Sequence, residues 1–156
     1  MLRSSRMPTR IEFFVPGAPA PGGSKSPYLN KNTGRINLAP ASKKTKDWRA
    51  VVRLAAEAAY DGPLLTGPIS LSIIFVMPRP KNHYGTGRNA GMLKASAPYW
   101  HTKTPDRTKL IRSTEDALKH VIWNDDSQVC AGRVQKVYGD KPGARIVIQD
   151  LRPREE

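Results

Sequence analysis

Apolar positions along the chain follow two rhythms. From about Lys43 to Tyr60, Trp48, Val52, Ala55, Ala56 and Ala59 recur at helical spacing, with Lys46, Arg49, Arg53 and Glu57 on other faces. From Pro105-Asp106 to Val121 or Ile122, an arc of Leu110, Ile111, Thr114, Ala117, Leu118, Val121 and Ile122 opposes Asp106, Lys109, Arg112, Ser113, Asp116, Lys119 and His120. Both patterns predict amphipathic helices. Short apolar or alternating runs at Ile11–Val15, Pro68–Met77, Gln128–Tyr138 and Ala144–Leu151 predict strands. The remainder reads as loop, notably the Pro- and Gly-rich stretch Ala18–Pro40 and the long connection Pro78–Pro105. This pattern gives an α+β fold, a small mixed sheet of about four strands with two main helices packed on it. One domain is expected over residues 10–151, between a basic arm at 1–9 and a polar tail at 152–156.

Composition sharpens this picture. The 156 residues include 26 Lys and Arg against 13 Asp and Glu, a formal net charge of +13. A field of that sign draws the chain towards a polyanion, nucleic acid first. Cys130 is the single cysteine, which excludes an intramolecular disulfide. No apolar run approaches the roughly 18 residues of a membrane-spanning helix.

Charge distribution points to chemistry. Five of the 13 acids, Asp106, Glu115, Asp116, Asp125 and Asp126, lie within Thr104–Val129, whereas Gly62–Pro105 and Phe13–Lys46 contain none. Holding a polyanion does not require carboxylates beside a basic surface. Metal-dependent phosphodiester cleavage does, because Mg²⁺ takes oxygen ligands and bridges them to a phosphate. On this reading Asp106 and Asp126 converge on one cation if the helix start and the strand start are neighbours. Arg112 or Lys109 then offsets charge on the reacting phosphate. Bland roles compete for the same residues: Asp106 as a helix N-cap, Asp125-Asp126 as an ordinary turn, and Arg112 as a partner of Asp116. Glu115 and Asp116 read as helix surface.

The two loops carry basic side chains that are candidates for nucleic acid, against the plain readings of a merely flexible first loop and a disordered second one. Lys25, Lys31 and Arg35 lie in the first, after Gly22-Gly23-Ser24. Arg79, Lys81, Arg88 and Lys103 lie in the second, interleaved with Tyr84, Tyr99 and Trp100. Amides and lysines suit phosphate, and aromatics suit unpaired bases. His83 and His101 lack a partner at metal-ligand spacing.

The order Pro105-Asp106, Leu110, Arg112, Asp116-Ala117-Leu118 and Trp123-x-Asp125-Asp126-x-Gln128-Val129 resembles the RusA family of Holliday junction resolvases, common in bacteriophages and prophages. The resemblance implies an α+β homodimer in the bacterial cytoplasm that resolves four-way DNA junctions by paired nicks. It implies Mg²⁺ as cofactor, with Mn²⁺ able to substitute, and places Asp106 and Asp126 as ligands with Asp125 as a helper and Arg112 as the basic residue. One motif position departs. Thr108 stands where the family has an aspartate, and Lys109 where it has asparagine. Three readings follow: a site built on Asp106, Asp126 and Asp125 with more water on the metal, compensation by Asp116 or Glu115, or a junction binder with weak or absent cleavage.

Overall fold

The computed structural model describes residues 9–22, 26–29, 32, 36–39 and 43–152. Among these, the elements in order are β1 (Arg10–Pro16), β2 (Ser26–Leu29), β3 (Ile36–Ala39), α1 (Lys43–Ala59), β4 (Ile69–Met77), α2 (Arg107–Leu118), β5 (Val129–Ala131), β6 (Val134–Tyr138) and β7 (Gly143–Asp150). β4 is central. β7 lies antiparallel along one edge of it and carries β1 antiparallel on its far side. The other edge of β4 takes two parallel strands end to end, β5 against Ile69–Ser70 and β6 against Ile73–Met77. Five strands therefore fill four lanes, and the fold is α+β.

Alternation along the strands sets the layers. Ile69, Leu71, Ile73, Phe75 and Met77 of β4 are buried, as are Ala144, Ile146 and Ile148 of β7 and Ile11 and Val15 of β1. Each buried aliphatic or aromatic side chain contributes about 1.5–3 kcal/mol. Trp48, Val52 and Ala56 of α1 and Leu110, Ala117 and Leu118 of α2 join them in one core cluster. Ser70, Ser72 and Ile74 turn to the other side of the sheet, where Ile74 and Phe14 remain exposed.

Four expectations need correction. The stretch Ala18–Pro40 is not all loop, since β2 and β3 pair antiparallel as a separate ribbon. Pro27 is compatible with that ribbon because, among the described residues, neither of its strands pairs with a third. α2 stops at Leu118 because His120 adopts φ +65° and its N–H turns to the Trp123 carbonyl, sending Ile122 and Trp123 back into the core. Ser113 is fully buried rather than on the solvent face, and its hydroxyl donates to the Ala20 carbonyl at 2.6 Å. The run Gln128–Tyr138 is split in two. Its break falls at Gly132, φ +133°, whose backbone presses on Leu71 of β4.

The long connection is tied to the sheet. Trp100 bridges to Val137, His101 N–H donates to the Lys136 carbonyl, and Tyr138 N–H donates to Tyr99. This segment covers the outer edge of β6, which would otherwise present unpaired amides and carbonyls.

Gly132 generates a prediction. A Cβ there would lie 1.7 Å from the Leu71 carbonyl oxygen, on a backbone conformation that L-residues rarely adopt. Gly132→Ala should therefore lower unfolding free energy by more than about 2 kcal/mol, read from urea denaturation. An unchanged midpoint would mean that the β5–β6 junction bends freely.

Candidate active site

Asp106 occupies the position before the first turn of α2, with its carbonyl accepting from Lys109 and Leu110 N–H. Its side chain makes no capping hydrogen bond, so the competing N-cap role is not the one it plays. The carboxylate is exposed, with Oδ2 3.9 Å from Lys109 Nζ. Beneath it, Lys136 of β6 donates to the Lys103 and Pro105 carbonyls, each at 2.7 Å. Burial holds the Lys136 ammonium below its ordinary pKa, and the Asp106 charge works the other way. The alternating strand pattern gave no sign that this lysine would dock the helix start.

The Asp125-Asp126 turn divides its two acids. Asp125 caps the short 3-10 helix Asp126–Gln128: its side chain accepts from Ser127 N–H at 2.9 Å, while Gln128 Oε1 accepts from Asp125 N–H at 2.8 Å. The bonds from Ser127 pull the Asp125 carboxyl below its usual range. Gln128 also donates to the carbonyls of Leu65 and Gly67, fixing the turn to the chain before β4. Asp126 is different. Its Oδ1 accepts from the buried Trp123 indole at 2.9 Å, which satisfies that indole and orients the carboxylate.

Beside Asp126 stands Glu115, in the third turn of α2. It is half-buried, not a surface residue, and burial followed by the charges of Asp126 and Asp116 pushes its carboxyl up to about 7. Two carboxylates that repel in this way suit a divalent cation, which would relieve the repulsion. A sequence pattern alone cannot give this pairing, because it arises from the return of the chain after His120.

Asp106 and Asp126 do not come together. Asp106 and Glu115 are nine residues apart on α2, about 13 Å at roughly 1.5 Å per residue. The sheet gives a second ruler. Lys136, under Asp106, pairs with Phe75, whereas Val129, just after the Asp126 turn, pairs with Ile69. Six strand residues span about 20 Å. Oxygens coordinating one Mg²⁺ or Ca²⁺ ion lie within about 2–2.6 Å of it, so the expected convergence fails within a single chain. Among the described residues, no three His, Cys, Asp or Glu side chains form a metal cluster. The set Asp106, Asp125 and Asp126 is thus not assembled as one cluster in a single chain, which brings together the pair Glu115 and Asp126 instead.

The basic candidates also separate. Arg112 is exposed on α2 between the two acid groups. Asp116, its expected partner, lies instead 3.4 Å from Arg49. Arg79 lies over the Tyr138 ring, 5.4 Å from its centroid, and donates to the Pro98 carbonyl at 2.8 Å, so it braces the long connection. His83 and His101 pack against the same ring, each 4.7 Å from it. Lys81, Arg88, Lys103 and Lys109 are exposed, as are Tyr99 and Trp100. Lys25, Lys31 and Arg35 lie outside the described residues.

Two comparisons bear on this arrangement. Residues 16–149 match the family model described as endodeoxyribonuclease RusA. The chain is also 27% identical over 146 residues to the uncharacterized protein YqaN of Bacillus subtilis (strain 168), covering 90% of this chain and 96% of that relative.

The raised Glu115 carboxyl yields a pH test. With a folded pKa of about 7 against an ordinary 4.5, the folded chain binds this proton more tightly than the unfolded chain. The group's contribution is complete below about 4.5 and is lost as pH rises through 7. In EDTA, Glu115→Gln should exceed wild type in urea stability at pH 8 by about 1–2 kcal/mol, after allowance for solvent screening. That advantage should vanish near pH 4.5. The same difference at both pH values would remove the charge-repulsion account.

Proposed function

Because the chain belongs to the RusA endodeoxyribonuclease family, we propose that it nicks branched DNA, four-way junctions above all, as a metal-dependent two-fold homodimer. The observation that carries this reading is Asp106, a family motif acid that stands at the cap position of α2 without capping it and faces solvent beside Lys109. A helix that needed only an N-cap would use that carboxylate, for a gain of about 1 kcal/mol. Asp126 supports the reading from the far end of the helix, with one oxygen held by Trp123.

Asp106 and Asp126 are the proposed ligands, with Glu115 as the assisting acid in place of Asp125, which is committed to its turn. A divalent ion would supply electrophilic stabilisation of the phosphate and activation of water. Since one chain separates the ligands, the homodimer completes the set by bringing the Asp106 end of one α2 to the Asp126 end of the partner's. A two-fold dimer offers two such sites, as paired nicks on a two-fold junction require. Arg112 neutralises phosphate charge between them, and Lys81, Arg88, Lys103 and Lys109 hold the DNA backbone. Lys25, Lys31 and Arg35 join them on sequence grounds.

The rival reading, a junction binder with little or no cleavage, is favoured by the absence of a three-acid cluster among the described residues. Incubation with a synthetic four-way junction, in Mg²⁺ and in EDTA, separates the two. Asp126→Asn should bind the junction within about threefold of wild type and lose at least about 100-fold in Mg²⁺-dependent cutting. Loss of affinity and cutting in equal measure would return Asp126 to a purely structural role.

Site sharing has its own test. Asp106→Asn and Asp126→Asn chains, co-expressed with different tags and purified as the heterodimer, should keep one of two sites intact. On a cruciform plasmid they should produce open circles rather than linear DNA, and should bind about half the Mn²⁺ of wild type by electron paramagnetic resonance. A heterodimer as inert as either homodimer would show that the sites are not shared.

A further inference from the structure

A cleft of about 780 Å³ opens directly beside Asp106, between the segment after β1, α1 and the start of α2. Its walls are mostly apolar, formed by Pro16, Ala18, Pro19, Trp48 and Val51. Lys44, Asp47 and Lys109 also line it, and all three are exposed to solvent. These walls are pinned. Ser113 Oγ holds the Ala20 carbonyl at 2.6 Å, and Gly22 N–H donates to the Lys109 carbonyl at 2.8 Å. The Trp48 indole donates to Thr114 Oγ1 at 3.2 Å, fixing α1 on α2. Gly22 leaves no slack, since a Cβ there would lie 2.5 Å from the Ser113 nitrogen. The cleft is therefore pre-formed, as ligand sites usually are.

Its chemistry selects an occupant. Apolar walls of proline, alanine and tryptophan suit a flat unsaturated ring, and the two solvent-facing ammonium groups suit the phosphate attached to it. A DNA duplex is too thick to enter, so the ring must have left its stack. An aliphatic chain or an apolar peptide would fill the walls and leave both lysines without a purpose.

We propose that this cleft receives one unstacked nucleobase of the DNA substrate, with Lys44 and Lys109 holding the adjoining phosphate next to Asp106. The inference rests on the nuclease reading and adds to it a determinant of where the strand is cut. Asp47 gives the cleft a preference. An exposed carboxylate can only accept hydrogen bonds, so it favours a base that donates through an exocyclic amino group over thymine, whose one donor, N3–H, lies between two carbonyl oxygens that repel the charge.

The test uses four-way junctions in which 2-aminopurine is scanned through the nucleotides at the branch point. Binding of the wild-type protein should raise emission at one position. Ala18→Trp, which plugs the cleft from an exposed site, should abolish that rise and slow cutting at least about tenfold. Its junction affinity should stay within about threefold of wild type. Asp47→Ala should keep the emission change and lose the preference against thymine at that position. Val51→Phe serves as the plug if Ala18→Trp fails to fold. Unchanged emission and cutting in the plugged protein would overturn the inference. So would unchanged emission with a lowered melting temperature, which would mean that the chain's own segment occupies the cleft. Binding without any emission change in wild type sinks this inference alone, whereas failure to bind junctions at all sinks the nuclease reading.

Discussion

Two buried hydroxyls in the middle of α2 hold the molecule to its working shape. Ser113 donates to the Ala20 carbonyl, drawing the chain after β1 against the helix. Thr114 accepts from the Trp48 indole and donates back to the Leu110 carbonyl, joining α1 to α2. Both residues are fully buried. A buried polar group left unpaired costs about 1–3 kcal/mol, so each bond specifies which neighbour the helix must have. The three elements that meet there are also the walls of the cleft beside Asp106. Packing and site geometry are set by one pair of contacts.

Around that fixed helix the carboxylates divide by what their neighbours ask of them. Asp125 gives its oxygens to backbone N–H groups and stabilises a turn. Asp116 lies against Arg49 across the helix pair. Asp126 is held on one side by the Trp123 indole, and Glu115 faces it from a half-buried position where its charge is disfavoured. Asp106 keeps its carboxylate in solvent. The acidic island is thus two groups at opposite ends of one rigid rod, and a helix of this length fixes their separation more firmly than any loop would. That separation is what leads the proposed nuclease reading to a homodimer.

The positive surface does more than attract DNA. Part of it is internal bracing: Arg79 lies over Tyr138, and the Lys136 ammonium binds two carbonyls at the entry to α2. These cations are committed to holding the long connection along β6 and to seating the helix start. Lys81, Arg88, Lys103 and Lys109 stay exposed. Basic composition sets the long-range field, but only local partners decide which cations a ligand can reach.

By itself the sequence determined the two main helices, the strands β1, β4 and β7, and the family. Helical spacing of Trp48, Val52 and Ala56, alternation through Ile69–Met77, and the acid-poor basic flanks depend on local periodicity and charge, which survive without knowledge of distant contacts. The family motif around Asp106 and Asp126 was legible for the same reason. Tertiary structure decided the rest. It buried Ser113, which helical phase had put in solvent, because the Ala20 carbonyl arrives there from 93 residues away. It ended α2 at Leu118, gave Asp125 to a cap, and brought Glu115 to Asp126. It also set Asp106 apart from Asp126, since helix rise and strand register are long-range rulers that a motif's spacing does not contain.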